Sequence, residues 1–170
     1  PTSSLDAYDF YLRALSALHS LTRPSMEQAV ALCRKAIALD PGYASALGLA
    51  AWCCQWRWTQ GWTENPEEER AAGAEFARLA VEFGADDPGA LWMAGHALAL
   101  LTKDDHGAAD LIERSLALNP NSAQAWNVNG WVRWHIGEGD KAIEHLQRAI
   151  RLSPLDPLAH TFKAGMAWAH

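Results

Sequence analysis

Three stretches of the chain close in the same way, with an apolar run stopped by proline: Ala-Leu-Asp-Pro at 38–41, Ala-Leu-Asn-Pro at 117–120 and Arg-Leu-Ser-Pro at 151–154. Pro120 and Pro154 lie 34 residues apart, and a period of that size is the mark of helix pairs stacked one on the next. Within this unit, residues 123–136 and 140–152 carry apolar or small side chains at helical intervals, so each reads as a helix. Between them, His135-Ile136-Gly137-Glu138-Gly139-Asp140 holds the glycines that a sharp helix-to-helix turn needs. Gly130 and Ala142 are expected where the two helices cross, because larger side chains would push them apart. Pro154 stops the second helix.

The whole spacing, Trp126-x3-Gly130-x11-Ala142-x6-Ala149-x4-Pro154, resembles the tetratricopeptide repeat. The resemblance implies an all-α fold, a right-handed superhelical array of antiparallel helix pairs, and it extends over nearly the whole chain. Aligned to this unit, repeats fall at about 7–43, 44–87, 88–122 and 123–156, with 157–170 as the opening helix of a partial fifth. In the first, Ala29, Ala36 and Pro41 take the small and proline places, and Ser25 is expected to cap a second helix at 26–39. The second is about ten residues too long, and the excess is assigned to Thr59-Gln60-Gly61-Trp62-Thr63-Glu64-Asn65. Asn65, Pro66 and Glu67-Glu68-Glu69 then read as a cap, a first-turn proline and acids at the positive end of a helix dipole. Ser115 stands in the third repeat where alanine is usual. The chain opens on Pro1 rather than Met, and the fifth repeat stops at His170 before a second helix, so a piece of a longer polypeptide with further repeats is expected.

Asp6-Ala7-Tyr8-Asp9-Phe10-Tyr11-Leu12-Arg13-Ala14, Gly130-Trp131-Val132-Arg133-Trp134 and Ile150-Arg151-Leu152-Ser153-Pro154-Leu155-Asp156-Pro157 also resemble the repeat region that follows nucleotidyl cyclase or winged-helix DNA-binding domains in bacterial signalling proteins. That likeness implies a sensory or protein-interaction segment attached to such an output domain, with the cytoplasm as the expected compartment and the periplasmic side of a membrane-anchored parent as the alternative.

Tryptophan occurs nine times in 170 residues. The family resemblance implies that first helices line a concave groove and second helices form the outer wall. In that register Trp126 faces its own second helix, while Gln124, Asn127, Trp131, Trp134 and His135 turn toward the groove. The same register adds Ser45, Gly48, Trp52, Gln55 and Trp56, then Trp92 and His96, then Trp168, with Tyr8, Tyr11 and His19 in the first repeat. Burying one indole removes about 150–250 Å² from water, so a row of wet indoles marks a surface that a partner covers. Arg57, Trp58 and Trp62 in the long connection are read two ways, as a flap over a groove edge or as packing for the connection itself.

The remaining chemistry is thin. Fourteen basic against 20 acidic residues leave a net charge of −6, the wrong sign for binding nucleic acid. No apolar stretch approaches the ~20 residues needed to span a bilayer. Cys33, Cys53 and Cys54 lack metal-ligand spacing, as do the seven histidines, so no metal or cofactor is expected. Gly137-Glu138-Gly139-Asp140 reads as a turn, and the acidic clusters as helix starts, so no catalytic residues are assigned. A chaperone-tail carboxylate clamp would need basic groups where Gly48, Trp52, Trp92 and His96 stand. The expected partner is therefore a protein or peptide with an apolar or aromatic-rich segment, hydrogen-bonded by Gln124, Asn127, Gln55 and His135. A structural or homodimerisation element and a small-molecule sensor are the alternatives.

Overall fold

The computed structural model describes residues 2–18 and 20–154. Trp168, the partial fifth repeat and His19 lie outside the described residues. Among the described residues eight helices follow in order: α1 (Leu5–Leu18), α2 (Arg23–Leu39), α3 (Ala44–Thr59), α4 (Pro66–Phe83), α5 (Pro88–Thr102), α6 (Asp105–Leu118), α7 (Ala123–Ile136) and α8 (Gly139–Leu152). Regular structure among the described residues is wholly helical. Each odd-numbered helix packs on the even-numbered one after it, each even-numbered helix packs on the next odd one, and α3, α5 and α7 also touch in series. The result is the right-handed superhelix of antiparallel pairs.

Local chemistry sets most boundaries. The hydroxyl or carboxylate of Thr22, Asp87, Asp104 and Ser122 accepts a backbone N–H three residues on and so starts α2, α5, α6 and α7. Ser25 is not the cap of α2. Proline is tolerated in a first turn, so the helix begins ahead of Pro24, and Ser25 becomes the third residue of a capping box with Thr22. Asn65 does precede α4, but its side chain makes no cap bond to the backbone; its amide donates to Glu68 instead. Gly137, at φ +91, ends α7 in the left-handed region that favours glycine.

The added length of the second repeat is spread more widely than expected. Six residues, 60–65, join α3 to α4, against two between α7 and α8, and α3 and α4 are themselves 16 and 18 residues long against 14 for α7 and for α8. Trp62 and Trp58 pack against separate buried clusters on either side of α3. Arg57 pairs with Glu69 at 2.9 Å and fastens the start of α4 to the end of α3. Packing of the connection accounts for these side chains.

Small residues fill the interior. Ala74, Ala77 and Ala80 of α4 meet Ala44, Leu47 and Ala51 of α3 and Ala90, Ala94 and Ala97 of α5. A Cβ on Gly130 would lie 2.6 Å from Leu146 Cγ and 3.1 Å from Ala142 O, which is the close crossing read from the sequence. Gly48 lies at another crossing, where a Cβ would come within 2.9 Å of Ala90 Cα. It is buried between α3 and α5 rather than facing an open groove. Ser115 has a different role: its hydroxyl donates to Pro88 O at 2.6 Å across 27 residues of chain. Cys33 is a small apolar filler, fully buried on α2.

Gly48→Ala is expected to destabilise the array by about 1–3 kcal/mol, because the obstruction is α5 backbone and not a flexible side-chain tip. Gly139→Ala, with nothing within 4 Å of the added carbon, is expected to be neutral or slightly stabilising. Urea unfolding followed by circular dichroism compares the two.

Candidate functional site

Three successive odd-numbered helices, α3, α5 and α7, line an open cavity of about 310 Å³. Its walls are Trp52, Gln55, Trp56, Thr59 and Gln60 from α3 and its end, Trp92, His96 and Leu100 from α5, and Gln124, Asn127, Val128, Trp131 and His135 from α7. Steps of three and four along each helix put these side chains on one face.

Nine of the residues singled out in the sequence meet here: Trp52, Gln55, Trp56, Trp92, His96, Gln124, Asn127, Trp131 and His135. Trp134 does not line the cavity; it is half-buried, edge-on to Trp131 at 6.3 Å between ring centroids, and beside the His135 ring at 5.0 Å. Trp126 turns outward to α8, where it meets the His145 ring at 4.9 Å and carries the Arg148 guanidinium over its face at 4.4 Å. Tyr8, Tyr11 and Ser45 line a separate hollow with Tyr43 and Asp87, and there the Ser45 hydroxyl donates to Asp87 at 2.5 Å. Sequence reasoning misses Thr59, Gln60, Leu100 and Val128. Thr59, Leu100 and Val128 each stand four residues after a residue already assigned to the face, and that step is the available signal.

The indoles form a connected wall. Trp52 and Trp56 are tilted at 5.6 Å between centroids, and Trp52 meets Trp92 edge-on at 6.4 Å; such arrangements suit the aromatic quadrupole. Among the described residues, no Asp, Glu, Lys or Arg lines the cavity. Polar groups are nevertheless built into it. Gln55 is 3% and Asn127 6% exposed, and Gln55 Oε1, Trp56 Nε1, His96 Nδ1 and Asn127 Oδ1 are buried with no hydrogen-bond partner among the described residues. Buried polar atoms in folded proteins are ordinarily paired, so four such atoms around one cavity set it apart.

Burial, with the His135 ring second, holds His96 down to about 4, so its imidazole is neutral at pH 7. Burial likewise pushes the Cys33 thiol up to about 12 and the Cys53 and Cys54 thiols well above the usual range, which leaves all three protonated and poor nucleophiles at neutral pH. On α7, Arg133 is occupied elsewhere, by Glu113 of α6 and Glu138 ahead of α8.

Residues 96–157 match the family model described as tetratricopeptide repeat. Over 97% of the chain the fold superposes, with a TM-score of 0.73 and 15% identity, on 81% of a thermophilic protein of that repeat class, TTC0263 from Thermus thermophilus. Over 96% it superposes, at 0.63 and 22% identity, on 77% of pilF from Pseudomonas aeruginosa. Among curated proteins it is similar to the transcriptional regulator HilA of Salmonella paratyphi A, at 23% identity over 172 residues. That alignment takes in 99% of this chain but only 30% of the length of the regulator.

In the unfolded chain His96 gains a proton near its ordinary value of 6.5, whereas in the folded protein it does so only near 4. Between those values the unfolded state holds the extra proton, so stability falls as pH drops from 6.5 to 4, by up to about 3 kcal/mol. His145, also held low by burial, adds to the fall in the same direction. Urea midpoints measured across this range are expected to decline with acid, and His96→Gln is expected to remove the larger share of the decline.

Proposed function

We propose that this chain, whose residues 96–157 match the tetratricopeptide repeat model and whose fold superposes on a protein of that repeat class, is a non-catalytic interaction module which seats a segment of a partner peptide or helix in the α3–α5–α7 cavity. The single observation that carries the reading is the wall of Trp52, Trp56, Trp92 and Trp131 on three consecutive inner helices with no charged group among the lining residues. Helices packed on both sides hold the backbone of this wall in place before a partner arrives, so association orders side chains and not the receptor fold. The likeness to a transcriptional regulator across 99% of this chain supports reading it as the sensory or scaffolding segment of a bacterial regulatory protein. A role in homodimerisation is the alternative, and concentration-dependent mass by light scattering separates it from capture of a foreign partner.

Uncharged peptides containing Leu, Phe or Trp are expected to bind, as read by calorimetry. Trp131, half-buried on the cavity wall, is the informative position. Trp131→Ala is expected to weaken binding by about 2–4 kcal/mol, the range of an interface hot spot, with the helical circular dichroism unchanged. Trp134→Ala, outside the cavity, should cost less than half of that. Binding of acidic tail peptides in place of apolar ones, or unfolding on loss of Trp131, would count against the module.

A further inference from the structure

We infer that the cavity is selective for a primary carboxamide, the side chain of an asparagine or glutamine carried by an otherwise uncharged peptide segment. The inference rests on the peptide reading above and adds to it the chemistry of the seated group.

Unpaired donors and acceptors decide which group the cavity takes. Thr59 Oγ1 lies 3.0 Å from both the Gln55 and Trp56 carbonyl oxygens, so its one hydrogen is committed to the backbone. Toward Gln55 it can therefore only accept, and it does so from Nε2 at 3.3 Å. This fixes the orientation of the Gln55 amide and leaves Oε1 as an acceptor without a donor. Asn127 Oδ1 is a second unanswered acceptor, and Trp56 Nε1 is an unanswered donor. His96, neutral at pH 7, adds an Nδ1 that takes whichever role its tautomer dictates.

A primary carboxamide supplies two N–H donors and a carbonyl acceptor, which is the complement of this set. A carboxylate has only acceptors and would meet two more. An ammonium has only donors, and its charge would be desolvated in a cavity with no acid among its lining residues. An alkyl or thioether side chain suits the indoles but leaves every polar atom unpaired. Because the four atoms are withdrawn from solvent, a ligand reaches them as indole and amide side chains turn, a rotamer adjustment common at interfaces. Indole fluorescence reports such a movement.

The test uses the folded chain and an acetylated nonapeptide of Leu, Ala and Ser whose C-terminus is an N-methylamide, so that no terminal carboxamide competes. The central residue is Gln, Asn, Met or Glu. The Gln or Asn peptide is expected to bind about tenfold or more tighter than the Met or Glu peptide, the loss that follows when buried partners go unpaired. Gln55→Met and Asn127→Leu are expected to erase that preference, bringing the Gln and Asn peptides to the same affinity as the Met peptide on the same variant; if either variant unfolds, the peptide series on the unaltered chain decides. Equal binding of Gln, Met and Glu peptides would overturn the carboxamide inference and leave the peptide module standing. Propionamide against propionate, followed by ligand-observed NMR, covers the remaining case. If no peptide binds but propionamide does, the carboxamide chemistry is upheld and the peptide reading falls; if neither binds, both fall.

Discussion

Close approach of helices is the constraint on which the rest of this structure depends. At Gly130 against Leu146 and Ala142, at Gly95 against Ile112 and Ala108, and at Gly48 against Ala90, an added Cβ would fall 2.6–2.9 Å from its nearest neighbour. The layers between α3, α4 and α5 are correspondingly built of alanine. Backbones this near gain many small dispersion contacts and leave little width between layers. Among the described residues, seven of the eight indoles are accordingly only partly buried, where the layers open, and Trp52 alone is buried.

Those openings are few, and each has a distinct use. Trp126 goes to the outer side of its own pair, under Arg148 and against His145, with its indole N–H donating to Pro120 O at 2.9 Å. Trp58 and Trp62 pad the long α3–α4 connection, which Arg57 and Glu69 tie down with a mostly buried pair. Losing one partner of such a pair strands the other charge, so it holds register more than it adds net stability. Trp52, Trp56, Trp92 and Trp131 are left to the inner face, where they bound a cavity; Trp52, 8% exposed, also belongs to the core cluster against which Trp56 and Trp92 pack.

The cavity takes its chemical character from what surrounds it as much as from what lines it. On α7, Arg133 is engaged sideways, reaching to α6 and to Glu138, so the field inside comes from amides, an indole N–H and a neutral imidazole. Such dipoles are strong where water is scarce, and a low dielectric rejects ions more firmly than it rejects any particular neutral group. Stability and recognition therefore draw on the same burial: the desolvation that keeps His96 neutral also makes the neighbouring unpaired oxygens demanding of a donor.

How far the sequence reaches is best judged residue by residue. Gly130 and Ala142, the turn at Gly137 and the helix-pair period are all legible, because turns and crossings depend on residues a few positions apart or on a spacing repeated along the chain. Thr22 as the cap of α2 is hidden by Pro24, whose place inside a first turn looks like a break. Gly48 reads as a groove residue because helical phase alone does not say how near the next pair will stand, and the added length of the second repeat can be counted but not apportioned. Helical spacing selects residues that come to line the cavity. It does not show that Trp134 lies off its wall, or that Gln55, Trp56, His96 and Asn127 hold polar atoms left unpaired among the described residues. Those facts depend on distances between α3, α5 and α7, which side-chain packing sets between residues far apart in the chain, and only the assembled array fixes them.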